Sequence, residues 1–184
     1  MMINPRKNPA PFSRMIALLA LLSTCLFSHV ANAESNESSQ LKAVILLKAL
    51  KYVQWPAQTL TNNTLRVCMV GKGPINRELK TLSGKKLSGK QVHVIYYEAL
   101  KKTDLCHLAF INNSAAHQFH ELIRLLATQP VLTVSDIPAF ASNGGMFELN
   151  ESKDRIRLVV NLKATRASGF LIGSQLLRMS RVIR

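Results

Sequence analysis

The sequence predicts an α/β domain: a Rossmann-like sheet with flanking helices and a late antiparallel hairpin. Three observations lead there. Leu65–Val70, His107–Ile111 and Val131–Ser135 are short apolar runs suited to buried strands, and Gln91–Tyr97 alternates as a strand does. Helix-forming stretches separate these runs, which is the pattern of parallel βαβ units. Met146–Leu149 and Arg155–Asn161 flank a polar turn, as the two arms of a hairpin do. A chain of 184 residues holds one such domain and little more.

The elements follow in order. Residues 1–33 carry Arg6, Lys7 and Arg14 without an acid, then the apolar run Met15–Phe27, then Ala31-Asn32-Ala33. A basic start, an apolar centre and an A-x-A end make a secretory signal peptide. The apolar run is shorter than the ~20 residues that span a bilayer. Cleavage after Ala33 is expected to release a single exported domain, 34–184. Lipid attachment at Cys25 is the competing reading, and Thr24 is a poor residue to precede it. Residues 34–40 are polar. Leu41–Trp55 reads as a helix closed by Pro56, which disfavours helical geometry just before it. It is apolar over most of its circumference and needs two surfaces to cover it. One is the domain itself. The other is expected to be a second copy, with Leu46, Leu47, Leu50 and Trp55 at a homodimer interface, the alternatives being another partner or a monomer that buries the helix deeply. The strand Leu65–Val70 runs through Gly71-Lys72-Gly73-Pro74 into a helix over 75–82. Ser114 is placed to cap a helix reaching about Ala127. A basic helix with Ile172, Leu176, Met179 and Ile183 on one face is expected to end the chain.

Chemistry is harder to find. Gly71-Lys72-Gly73-Pro74 opens a helix after a strand, where an anion is favoured. It lacks the third glycine and the later acid of a dinucleotide fingerprint, so no cofactor is expected. His117 and His120 share a helix face, but two ligands leave a zinc site unfinished, and no metal is expected. Ser135-Asp136 lacks a nucleophile elbow, and Cys106-His107 points its side chains to opposite sides of a strand. No catalytic residue is assigned, and an enzyme is the weaker class. The two cysteines left after export, Cys68 and Cys106, read as a disulfide in an oxidising compartment, the alternative being two buried thiols. Closing that loop is worth about 4 kcal/mol on the chain-entropy model.

Charge is uneven. Residues 72–102 hold eight Lys/Arg against two acids and 153–184 eight against one, whereas 103–152 hold one base and five acids. Basic patches suit nucleic acid, but an exported chain does not meet it, leaving anionic membrane headgroups or an acidic protein as partners.

Several segments together resemble a known family. They are Lys51-Tyr52-Val53-Gln54-Trp55-Pro56, Leu65-Arg66-Val67-Cys68-Met69-Val70-Gly71, Leu105-Cys106-His107, and Pro130-Val131-Leu132-Thr133-Val134-Ser135-Asp136 running on to Phe140 and Gly144-Gly145-Met146. Asn161-Leu162 and the stretch from Gly169 to Leu176-Leu177-Arg178 complete the set. The ordered set is similar to the YfiR family of small periplasmic proteins over nearly all of residues 34–184. The resemblance implies a dimeric repressor that binds the periplasmic domain of an inner-membrane diguanylate cyclase and lowers cyclic-di-GMP synthesis, and with it biofilm behaviour. An outer-membrane lipoprotein sequesters the repressor in that system. It also implies a structural disulfide at Cys68 and Cys106, while the second cysteine pair of some relatives has no counterpart near Gly145. Relatives often carry an acid two residues before the Asn of the last strand, where this chain has Val159. Contact with the partner is expected at Phe147, Val159, Ala164, Thr165 and Arg166. A ligand-binding accessory module for a sensor kinase or uptake receptor is the alternative function.

Overall fold

The computed structural model describes residues 36–184 apart from 58, 61, 102–104, 128 and 154; the predicted signal peptide lies outside the described residues. Ser38–Arg184 forms one compact unit. Helix α1 covers 36–50. After it come β1 (Val53–Gln54), β2 (Thr64–Val70), α2 (Ile75–Lys80), β3 (Lys86–Leu87), β4 (Lys90–Tyr97) and β5 (Leu108–Ile111). A 3-10 turn, Asn113–Gln118, leads into α3 (Phe119–Leu126), followed by β6 (Leu132–Ser135), β7 (Phe147–Ser152) and β8 (Arg155–Asn161). The chain closes with α4 (Leu162–Ala167), β9 (Leu171–Ile172), α5 (Ser174–Met179) and β10 (Arg181–Ile183).

Eight strands form one sheet in the order β10-β8-β7-β6-β5-β2-β4-β3, and β1 pairs with β9 in a separate ribbon. The strands β4, β2, β5, β6 and β7 are parallel neighbours. Numbered by place in the chain they follow the flavodoxin-like order, which reverses direction between β2 and β5. The expected hairpin is present, with β8 antiparallel to β7 from Phe147↔Val160 to Ser152↔Arg155. It is not the edge of the sheet, because β10 runs parallel outside β8.

Strand alternation sends side chains to two faces. On the first face Leu65, Val67, Met69, Phe110, Val134, Phe147 and Val160 form the main core with Leu46 and Leu50 of α1, Leu79 of α2 and Leu176 of α5. On the second, Cys68, Val70, Ala109 and Ile111 pack under Phe119, Leu122 and Leu126, with Phe140 from the β6–β7 loop. Helix α1 is fixed over the first face by Lys42. Its ammonium reaches Asp136 at 3.0 Å and Glu151 at 2.9 Å, and Glu151 also accepts from Ser38 at 2.7 Å. Burial alone would lower the Lys42 pKa, but the two acids outweigh it and raise it. The same hydrogen bonds hold Glu151 below the usual carboxylate range.

Three expectations change. Helix α1 stops at residue 50, because Val53 and Gln54 are recruited as a strand by Ile172 and Leu171. The terminal helix is instead α4, β9, α5 and β10, broken where Gly169 takes φ +80° just past α4. Ser114 does not cap a helix; its hydroxyl accepts the Lys72 N–H at 2.7 Å.

Cys68 and Cys106 are bonded, with Cα atoms 5.8 Å apart, tying the middle of β2 to the entry of β5. Reduction, or Cys68→Ser with Cys106→Ser, is expected to lower the melting temperature by roughly 10 °C, from a loss of about 4 kcal/mol. A thermal melt that is the same with and without reductant would contradict a stabilising bridge. On α1, Leu46 is buried against the domain's own core whereas Val44 is exposed. Leu46→Ala is expected to cost about 2–5 kcal/mol, and Val44→Ala within about 0.5 kcal/mol, by urea unfolding.

Candidate functional site, a basic shelf beside the hairpin

On the second face of the sheet the cover ends at Glu148 of β7 and Val159 of β8, which are still buried. Beyond it, β7, β8 and β10 turn a row of side chains outward. Asn150 stands opposite Arg157, Ser152 opposite Arg155, and Val159 lies between Glu148 and Arg181. With Lys153 at the hairpin turn, these residues other than Glu148 line an open groove of about 540 Å³. Arg155, Arg157, Arg181 and Lys153 are exposed. No acid among the described residues pairs with any of the four. Three exposed arginines on strands and a lysine at the turn, none paired with an acid among the described residues, favour a negatively charged occupant. The guanidinium forks add geometry, since they grip carboxylate or phosphate in two-pronged fashion.

A buried polar network holds the shelf in place. The Glu148 carboxylate lies at its inner end and accepts the Ala141 N–H at 3.0 Å and the Asn150 amide at 2.8 Å. The Asn161 amide donates to the Ala141 carbonyl at 2.8 Å, and its own oxygen caps α4 by accepting the Ala164 N–H at 2.9 Å. Hairpin, loop and helix are thereby one unit.

The residues expected to contact a partner divide accordingly. Phe147 and Thr165 are wholly buried and Val159 is nearly so. Phe147 belongs to the main core, and the Thr165 hydroxyl donates to the Leu162 carbonyl. Ala164 is half-buried and Arg166 is exposed, so of the five these two present the most surface. The residues expected at a dimer interface behave similarly. Leu46 and Leu50 face inward, while Leu47 and Trp55 are half-buried. The apolar residues that α1 does expose are Leu41 and Val44. Arg155 and Arg157 were missed as site residues, although Arg-x-Arg-x-Val on a strand already places both arginines on one face.

A family model described as YfiR/HmsC-like matches residues 39–181. The chain belongs to the YfiR/HmsC-like family. The family is a regulatory one, associated with periplasmic control of cyclic-di-GMP signalling. Among solved structures, the chain is similar to one described as the ABC domain in complex with L-Trp from Streptococcus pneumonia. The two share 10% identity at a TM-score of 0.55, over 74% of this chain and 59% of that one. The chain thus spans about 59% of that protein's length, and at this identity the likeness shows the fold alone. In this YfiR/HmsC-like chain Val159 stands opposite Glu148, whose carboxylate is engaged by the Ala141 N–H and the Asn150 amide.

The other candidate groups are occupied within the protein. At the reversal point between β2 and β5, the Asn112 amide donates to the carbonyls of Val70 and Gly71 at 3.0 and 3.2 Å. Gly71, at φ +76°, admits no larger residue, because a Cβ there would lie 2.6 Å from the Ser114 oxygen. The Ser135 hydroxyl donates to the Ile111 carbonyl at 2.7 Å. The His117 ring nitrogen sits 3.2 Å from the Gln118 amide, and the His120 ring packs on Phe119. Among the described residues no group of three His, Cys, Asp or Glu is placed to hold a metal. No helix among them is long and apolar enough to cross a membrane.

His107 Nδ1 accepts the Arg66 N–H at 2.9 Å, a bond only the neutral tautomer makes. Burial, then the nearby Arg66 charge, holds its pKa below the ordinary 6.5, against a backbone hydrogen bond at Thr59. As pH falls below 6.5 the unfolded chain takes up this proton more readily than the folded one. Stability present above that pH is therefore lost on acidification. Melting temperature is expected to fall between pH 7 and pH 5.5, and His107→Gln to flatten the dependence; an equal slope in the variant would contradict this.

Proposed function

We propose that this chain is a periplasmic negative regulator that binds the periplasmic domain of an inner-membrane diguanylate cyclase and lowers cyclic-di-GMP synthesis. The observation that carries the reading is the family match over residues 39–181. The basic shelf supplies the docking chemistry. Repression of this kind requires no bond-making, only tighter binding to the inactive form of the receptor. Moving a receptor from 1:99 to 99:1 takes about 5.5 kcal/mol of differential affinity, within what a standard protein interface delivers. The shelf fits an acidic surface on the cyclase, with Arg155, Arg157 and Arg181 as anchors and Arg166 of α4 at the margin. Arginine is enriched at such interfaces, and long-range attraction between opposite charges speeds encounter. A homodimer would present two shelves to a dimeric receptor, and an outer-membrane lipoprotein competing for the same surface would release it.

The test joins capture to output. The protein is immobilised and presented with solubilised inner membranes, and captured cyclases are identified. Cyclic-di-GMP is measured in cells carrying the same forms. The wild type is expected to retain one cyclase and to lower cyclic-di-GMP. Arg155→Glu with Arg157→Glu is expected to weaken capture about tenfold or more and to restore cyclic-di-GMP, with the melting temperature unchanged. Capture should also weaken with added salt. Full capture by the double variant would remove the shelf from the interface. A wild type that captures no cyclase and leaves cyclic-di-GMP unchanged would overturn the function itself.

A further inference from the structure

On the opposite face, at the end of the sheet where β2 begins, the main core opens to solvent. Leu50 at the end of α1, Trp55, Leu65 at the start of β2 and Leu87 of β3 wall a groove of about 530 Å³. Leu50 and Leu65 are core residues, and Trp55 and Leu87 pack against that core, so the walls continue the interior of the domain. The volume lies within the ~300–1,000 Å³ typical of small-molecule sites, which are mostly apolar with a few placed polar groups. Trp55 is pre-set. Its ring meets Phe170 edge-on at 6.0 Å, and its Nε1–H donates to the His107 carbonyl at 3.3 Å. Two charged residues line the groove, Lys51 and Lys90, and both are cations without an ion pair among the described residues. Lys90 makes only a long 3.5 Å contact with the Leu60 carbonyl.

We propose that this groove binds a free long-chain monocarboxylate, its acyl chain along Leu50, Trp55, Leu65 and Leu87 and its carboxylate at Lys51 and Lys90. Each part of the ligand answers one part of the site. An acyl chain removes from water the surface that the half-buried Trp55 and Leu87 still expose, at ~25 cal/mol per Å² of apolar area covered. A single negative head is selected because the groove offers cations and no acid. A cationic or uncharged amphiphile of equal length gains the first term without the second. The inference is independent of the docking shelf and of the cyclase reading.

The protein carries its own reporter, since Trp55 is its one tryptophan. Purified protein is titrated with dodecanoate below its micelle-forming concentration while tryptophan emission is followed. Hexanoate and dodecyltrimethylammonium serve as short-chain and wrong-charge probes. Dodecanoate is expected to give a saturable change, with both other probes about tenfold weaker or more, as a charge-assisted contact and a shortened chain each allow. Lys51→Gln with Lys90→Gln is expected to cost dodecanoate about tenfold and to erase its advantage over dodecyltrimethylammonium. The absence of a saturable change overturns the proposal, as does equal binding of the cationic probe. A double variant that binds dodecanoate as tightly as the wild type overturns it too. Should the variant fail to fold, the comparison of probes on the wild type decides alone.

Discussion

A parallel sheet has to be dry on both faces, because each of its strands carries apolar side chains to both sides. That requirement organises the whole molecule. The crossover helix α2 cannot cover the first face alone, so α1 is brought in from the N-terminal end and α5 from the other. Lys42 fixes α1 through an ammonium shared between Asp136 at the end of β6 and Glu151 in β7. The second face has α3, the short turn before it and the loop carrying Phe140, and this cover ends where Glu148 of β7 and Val159 of β8 are still buried. Beyond that line the alternation changes character: β8 keeps Leu158 and Val160 for the first face and sends Arg155 and Arg157 to the second. The shelf is what remains where the helical cover ends.

The central strands were legible because burial on both sides leaves little freedom of composition. Leu65–Val70 is apolar but for Arg66, Leu108–Ile111 is apolar throughout, and the structure places both inside the sheet. The hairpin was legible from its alternation. The C-terminal stretch was misread for an equally physical reason. Ile172, Leu176, Met179 and Ile183 repeat at helical spacing, but Ile172 and Ile183 lie in strands on either side of α5, and Met179 is exposed. Spacing alone cannot register that β1 recruits Leu171 and Ile172, since that pairing joins residues more than a hundred positions apart. The same pairing shortened α1. The buried partners of the candidate site, Glu148 and Asn161, were equally hidden, because their roles exist only through the backbone of Ala141.

Rigidity connects these features to a binding role. The disulfide joins adjacent strands at the reversal of strand order, and the network from Asn150 to Asn161 joins hairpin, loop and α4. A surface already held in its binding shape loses less entropy when a partner arrives. Arg155 and Arg157 rise from β8, which pairs with β7 along their whole length, and Arg181 from the edge strand β10, so the spacing of these three follows from strand pairing.

In flavodoxin-like sheets the crevice at the reversal of strand order, beyond the carboxyl ends of the strands, is where ligands usually enter. Here Asn112 and Ser114 spend their polar atoms on Val70, Gly71 and Lys72, and a residue larger than glycine at position 71 would not fit. In this protein the polar side chains at that crevice are engaged by its own backbone, so the open grooves lie on the two flanks of the sheet instead.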